Sequence, residues 1–182
     1  MRKLRDSLLT LILLAMPTVG NSQMLAVKTN LLYDALLVPS LGAEYAVGNK
    51  GTVNLMTTFN PFSYGDHKWK NWSLQPEYRF WSHCAFTGLF FGVNAVVGGY
   101  NIEKVRIGDL YDHQHQGMMV GGGLSVGYHH ILSTRFSMEF VAGADFVHCA
   151  YDRLDDGVKT ERRHSGLILP LGTGVNVVYI LK

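Results

Sequence analysis

Seven charged side chains sit at alternate positions inside otherwise apolar segments: Lys28, Glu44, Glu77, Arg79, Arg135, Glu139 and Asp145. Glu77 and Arg79 belong to Trp72-Ser-Leu-Gln-Pro-Glu-Tyr-Arg-Phe-Trp-Ser82, where Trp72, Leu74, Pro76, Tyr78 and Phe80 take the other alternate positions. Period-two alternation of this kind describes a β-strand with one polar and one apolar side. Acids and bases gathered on one face can pair, relay protons or line a pore. Inside a barrel just wide enough to be filled by side chains, they form a packed polar core rather than a gated pore, with Arg79 reaching Glu44 or Glu139. Glycines at 121, 123, 127, 172 and 174 fall on the same inward set and leave room for long arginines.

Other reactive residue types are dispersed. His113-Gln-His115 beside Asp109 and Asp112 has imidazole and carboxylate donors but no closed set of ligands, so it reads as a solvated loop and no metal is expected. His164-Ser165, with His148 near Asp152, has the residue types of a hydrolase such as a lipid A deacylase. No Gly-x-Ser-x-Gly elbow accompanies them, so no catalytic residues and no cofactor are assigned, and the chain reads as a non-enzyme. Cys84 and Cys149 fall at opposite ends of the strands that carry them, too far apart to bridge, and are expected to be free thiols.

The segments that position these residues begin after an export signal. Met1-Arg-Lys-Leu-Arg5 is basic, Leu8–Met16 is apolar, and Gly20-Asn-Ser22 supplies small residues for cleavage before Gln23. Residues 1–22 are thus read as a signal peptide and 23–182 as one domain. The full chain has 16 Lys+Arg and 14 Asp+Glu; losing Arg2, Lys3, Arg5 and Asp6 leaves thirteen of each. A neutral mature chain has no basic surplus for nucleic acid.

Eight alternating runs follow, over Leu25–Tyr33, Ser40–Val47, Thr52–Phe59, Trp72–Ser82, Ala85–Gly99, Gly117–Ile131, Arg135–Ala150 and His164–Lys182. In the last run Leu167, Leu169, Leu171, Val175, Val177, Tyr179 and Leu181 share one face. Short connections (48–51, 82–85, 131–134) alternate with longer ones (34–39, 60–71, 101–116, 151–163). Aromatic residues gather near both ends of the runs. These features predict an all-β, eight-stranded antiparallel transmembrane β-barrel in the outer membrane, with short periplasmic turns and long outside loops. On a rigid scaffold the loops carry recognition, and Trp69, Tyr111, His113, Arg153 and Arg162 are the candidate binding residues. A soluble lipocalin-like barrel with the two faces exchanged is the alternative that the pattern also allows.

Several stretches resemble a family of small outer-membrane barrels from Bacteroidota, known as a domain of unknown function. They are Val27-Lys-Thr-Asn-Leu-Leu-Tyr-Asp-Ala35, Pro39-Ser-Leu-Gly-Ala-Glu-Tyr45, Gln75-Pro-Glu-Tyr-Arg-Phe-Trp81, Phe91-Gly-Val-Asn94 with Tyr100-Asn101, Gly121–Tyr128, and Glu139 with Tyr151-Asp-Arg153. The resemblance spans nearly the whole mature chain. It implies an eight-stranded barrel in the outer membrane, sometimes associated with fimbrial assembly loci; the expected state is a monomer among outer-membrane lipids and lipopolysaccharide, with a surface or fimbrial protein as partner. It carries over no catalytic residue.

Overall fold

The computed structural model describes residues 24–60, 63–64, 67–103, 114–155 and 158–181, with side chains over 24–60, 70–100, 117–150 and 165–181. The expected signal peptide 1–22, the cut before Gln23, and Tyr111 and His113 lie outside these residues.

Among these described residues ten strands build one antiparallel sheet: β1 (Leu25–Asn30), β2 (Ser40–Ala46), β3 (Gly51–Asn60), β4 (Ser63–Tyr64), β5 (His67–Trp81), β6 (Gly88–Glu103), β7 (Gln114–Ile131), β8 (Phe136–Asp155), β9 (Val158–Leu169) and β10 (Gly174–Ile180). One helical turn, α1 (Leu31–Ala35), links β1 to β2. The ladder runs from β1 through β2, β3, β5, β6 and β7 to β8, and β10 pairs with both β8 and β1. β4 is a spur on β5, while β9 and β10 take successive lengths of β8. Eight strand positions therefore close on themselves, as the alternation predicts. Closure pairs the backbone groups that an open sheet would leave on its edges.

Alternation decides the faces. Leu41, Val53, Phe80, Phe91, Leu124 and Phe140 point out and are exposed, while Lys28, Glu44, Glu77, Arg79, Glu139 and Asp145 point in and are buried. Apolar side out, charged side in, is the arrangement read from the Trp72–Ser82 run. At the end with the short turns the interior is shut by Trp81, Phe86, Phe90, Val141 and Val178. Trp81 lies 4.9 Å from Phe90 and 5.8 Å from Phe86 between ring centroids. Phe86 reaches this plug from the turn after β5 with φ of 61°. That left-handed backbone is costly for a bulky side chain and persists because the ring is enclosed. Toward the other end a second inward cluster joins Val96, Val147 and Cys149 with Leu169 and Leu171.

Four expectations are corrected. The run Leu25–Tyr33 stops at Asn30, whose side-chain oxygen accepts the N–H of Leu32 and caps α1, so Tyr33 turns back to donate its hydroxyl to Leu171 O. The final run is two strands. Pro170, which has no N–H to give a ladder, is followed by a turn to Thr173, and the slip reverses the faces. Leu169 and Leu171 pack inward while Val175 and Val177 stay on the outer face; Leu167, paired with Val147, is exposed, as is Ile168.

Third, the stretches 60–71 and 151–163 are mostly strand, β8 reaching Asp155 and β9 starting at Val158, and 101–116 begins and ends in strand, with β6 extending to Glu103 and β7 starting at Gln114 while 104–113 lie outside the described residues. Polar residues on both sides hide alternation, yet a ladder needs only backbone donors and acceptors. Fourth, Arg135 is exposed in the turn before β8 and donates to the Tyr179 hydroxyl at 3.2 Å. It lies one residue outside the strand, so strand parity does not aim it into the lumen.

Candidate functional site

The inward charges meet in one buried layer above the aromatic plug. β1 supplies Lys28, β2 Glu44, β5 Glu77 and Arg79, β7 His129 and β8 Glu139. Each is inward because its parity matches that of its cross-strand partner, as where Asn176 faces Glu139. Arg79 donates Nε to Glu77 Oε2 at 2.6 Å, and Nη1 to Glu44 Oε2 at 2.9 Å and Glu139 Oε2 at 3.1 Å. Pairing of Arg79 with Glu44 or Glu139 was expected; it engages both and Glu77 as well. Its guanidinium also lies 4.3 Å from the centroid of Phe90, a cation–π contact joining the charged layer to the plug.

Glu139 is the hub. Lys28 Nζ donates to it at 2.9 and 3.0 Å, Asn176 Nδ2 at 3.2 Å, and His129 Nδ1 lies 3.1 Å from Oε1. Lys28 also bridges to Glu44, which takes a hydrogen bond from the Thr52 hydroxyl. Trp81 Nε1 in turn donates to Thr52 Oγ1 at 2.9 Å. Glu77 accepts from Ser125 Oγ and, at 2.9 Å, from Asn54 Nδ2. Burying ions is tolerable only when each finds partners, and here every carboxylate of the layer does. Chemically the layer is a cross-brace tying β1, β2, β3, β5, β7, β8 and β10 together.

Asp145 is inward and buried as expected, but it stands apart, accepting the backbone N–H of Gly172 at 3.1 Å. His129, Thr52, Asn54, Ser125 and Asn176 were not among the expected site residues, although their inward parity could have found them. The glycines make room for other groups than arginines. A side chain at Gly127 would collide with Phe90, and one at Gly174 with Asn30. At Gly121 and Gly123 it would strike the backbone of β8.

Of the candidate recognition residues, Trp69, Arg153 and Arg162 lie on strands, not loops. Their backbones face Ile102, Glu161 and Asp152, and their side chains are outside the described residues. His148 and Ser165 do not meet: Ser165 pairs with inward Cys149, whereas His148 is on the outward face. Among the described residues no group of three or more His, Cys, Asp or Glu side chains is placed to hold a metal. Cys84 is exposed in its turn and Cys149 buried on β8, and both are free thiols.

A family model described as "Protein of unknown function (DUF3575)" matches residues 8–181. No curated protein and no solved structure matches the chain.

Proposed function

The chain belongs to this family of unknown function, DUF3575, and we propose that it acts as a small monomeric barrel of the outer membrane whose extended strands present a binding surface outside the cell. One observation supports this above the rest: the exposed side chains of the barrel wall are apolar while the buried ones are charged. Leu55, Phe59, Leu74, Phe80, Phe91, Val120, Leu124 and Phe146 all stand on the outer face. A monomer in water rarely carries contiguous apolar patches above a few hundred Å². In lipid the same face is favourable, and a charge there would cost about 2–4 kcal/mol at the midplane.

Strand length supports the second half of the reading. A tilted strand crosses the hydrocarbon with about 9–11 residues, and β5, β6, β7 and β8 have 15, 16, 18 and 20. Their surplus stands at the end opposite the short turns, with Trp69 and Arg153 on it and Arg162 on the adjoining β9. Lipopolysaccharide surrounds such a rim, and the family resemblance makes a surface or fimbrial protein the partner to try first.

Fractionation of expressing cells with protease added outside tests the proposal. The expected result is an outer-membrane chain starting at Gln23, cut within residues 151–163 and left intact at Gly48–Gly51. Recovery of a soluble periplasmic chain, or protection in the reverse sense, would overturn it.

A further inference from the structure

Four buried amide and carboxylate oxygens on the lumen side have no hydrogen-bond donor: Asn54 Oδ1, Asn94 Oδ1, Asn176 Oδ1 and Asp145 Oδ1. For two of them chemistry fixes the amide orientation. Asn54 Nδ2 faces Glu77 Oε2 at 2.9 Å and Asn176 Nδ2 faces Glu139 Oε2 at 3.2 Å. A carboxylate only accepts, so the nitrogens belong on the acids and the oxygens turn away from them. Asn54, Asn94 and Asn176 all line one cavity of about 30 Å³ beside Arg79. Gly172 lines it too, and its bond to Asp145 sets that carboxylate at the cavity edge. In register Asn54 faces Glu77, Glu77 faces Asn94, Asn94 faces Gly123 and Gly123 faces Asp145. Gly123 has no side chain to interrupt this row.

Charge points the same way. Among the described residues the buried acids are Glu44, Glu77, Glu139 and Asp145, against Lys28 and Arg79 with His129. Four negative groups face two fixed positive ones, and a proton on His129 would still leave one negative charge over. Uncompensated charge in a closed interior is strongly unfavourable.

We propose that this cavity binds one small hard cation through the oxygens of Asn54, Asn94 and Asn176, with Asp145 and Glu77 supplying the charge. Amide and carboxylate oxygens are ligands for Na⁺ or Ca²⁺ rather than for thiolate- or imidazole-seeking metals. The space suits an ion with about one water. Arg79 does not bar it, because its charge is matched by three carboxylates at 2.6–3.1 Å. Water alone would supply donors but not charge. The site is independent of whether lipid or water meets the outer wall.

The test uses the full mature chain refolded in zwitterionic detergent, at constant ionic strength in choline, Na⁺ or Ca²⁺ chloride. The expected result is a saturable rise of the unfolding midpoint with Na⁺ or Ca²⁺ but not choline, whose bulk cannot enter. Asp145→Asn and Asn94→Leu should each raise the half-saturating concentration at least tenfold. Equal midpoints in all three salts would mean that the cavity holds water only and would overturn the proposal. So would a cation effect that Asp145→Asn leaves unchanged. Should Asn94→Leu not fold, the salt series on the unaltered chain and on Asp145→Asn decides.

Discussion

At the scale of single residues, Arg79 shows what a packed lumen demands. It holds Glu44, Glu77 and Glu139 at once. Arg79→Ala takes one buried cation away from all three carboxylates, leaving Lys28 to serve Glu44 and Glu139 alone, and breaking such a pair costs about 3–5 kcal/mol, against about 0–1 for an exposed one. The temperature at which the refolded barrel unfolds in detergent, read by its heat-dependent gel mobility, should fall sharply. Arg135, exposed in its turn, is the matched control, and Arg135→Ala should move that temperature little. Gly92 tests the same packing from the other side. A Cβ there would collide with Glu77 Oε1 and Ser125 Oγ, so Gly92→Val should destabilise by about 1–3 kcal/mol, the range for overpacked cores. An unchanged unfolding temperature for Gly92→Val would mean that the layer is looser than its hydrogen bonds indicate.

At the scale of elements, the β1–α1–β2 corner differs from the rest of the wall. β1, β2 and β10 have only 6, 7 and 7 residues, fewer than the 9–11 that a crossing strand uses. Next to them Leu31, Leu32, Leu36 and Leu37 are exposed and extend the apolar surface beyond the strands. Leu37 does so from a backbone with φ of 60°, where a side chain costs about 1–2 kcal/mol and glycine costs little. In water, Leu37→Gly should therefore stabilise. With lipid over this corner the lost apolar contact outweighs the relief, and Leu37→Gly should lower stability in bilayers relative to its effect in urea-titrated detergent. The wall itself is tested by Leu74→Arg, which sets a charge on the outer face opposite to Glu77 and Arg79 in parity. Insertion into vesicles should be impaired by about 2–4 kcal/mol at midplane depth. Normal insertion would mean that this face does not meet lipid.

For the whole molecule, the lumen is layered along its axis: an aromatic plug, a charged brace, a small polar cavity and an aliphatic cluster. At the plug the ring of Phe86 is 1% exposed. The two thiols report on the closed barrel as a unit. Cys84 in the turn should react at once with a polar maleimide in the folded protein, and Cys149 only after unfolding. Rapid double labelling of the native barrel would show that its upper wall opens.

Alternation alone determined much of this protein. Once Glu77 and Arg79 shared a face and Leu74, Tyr78 and Phe80 the other, a two-sided strand was fixed, and eight such runs made a closed barrel with the charges on one side. It was legible because strand parity is local, set by neighbouring residues in the chain. Three things were not local. Arg79 meeting three acids depends on which strands face each other across the lumen, and His129 and Asn176 join only because β7 and β10 bring them to Glu139. The reversal at Pro170–Thr173 cannot be read from leucines at 167, 169 and 171, since a slip of register leaves the composition unchanged. The strand extensions through 151–155 and 158–163 are set by backbone pairing, which side-chain pattern does not record. Sequence decided which side of each strand is polar, and the tertiary structure decided which polar groups meet.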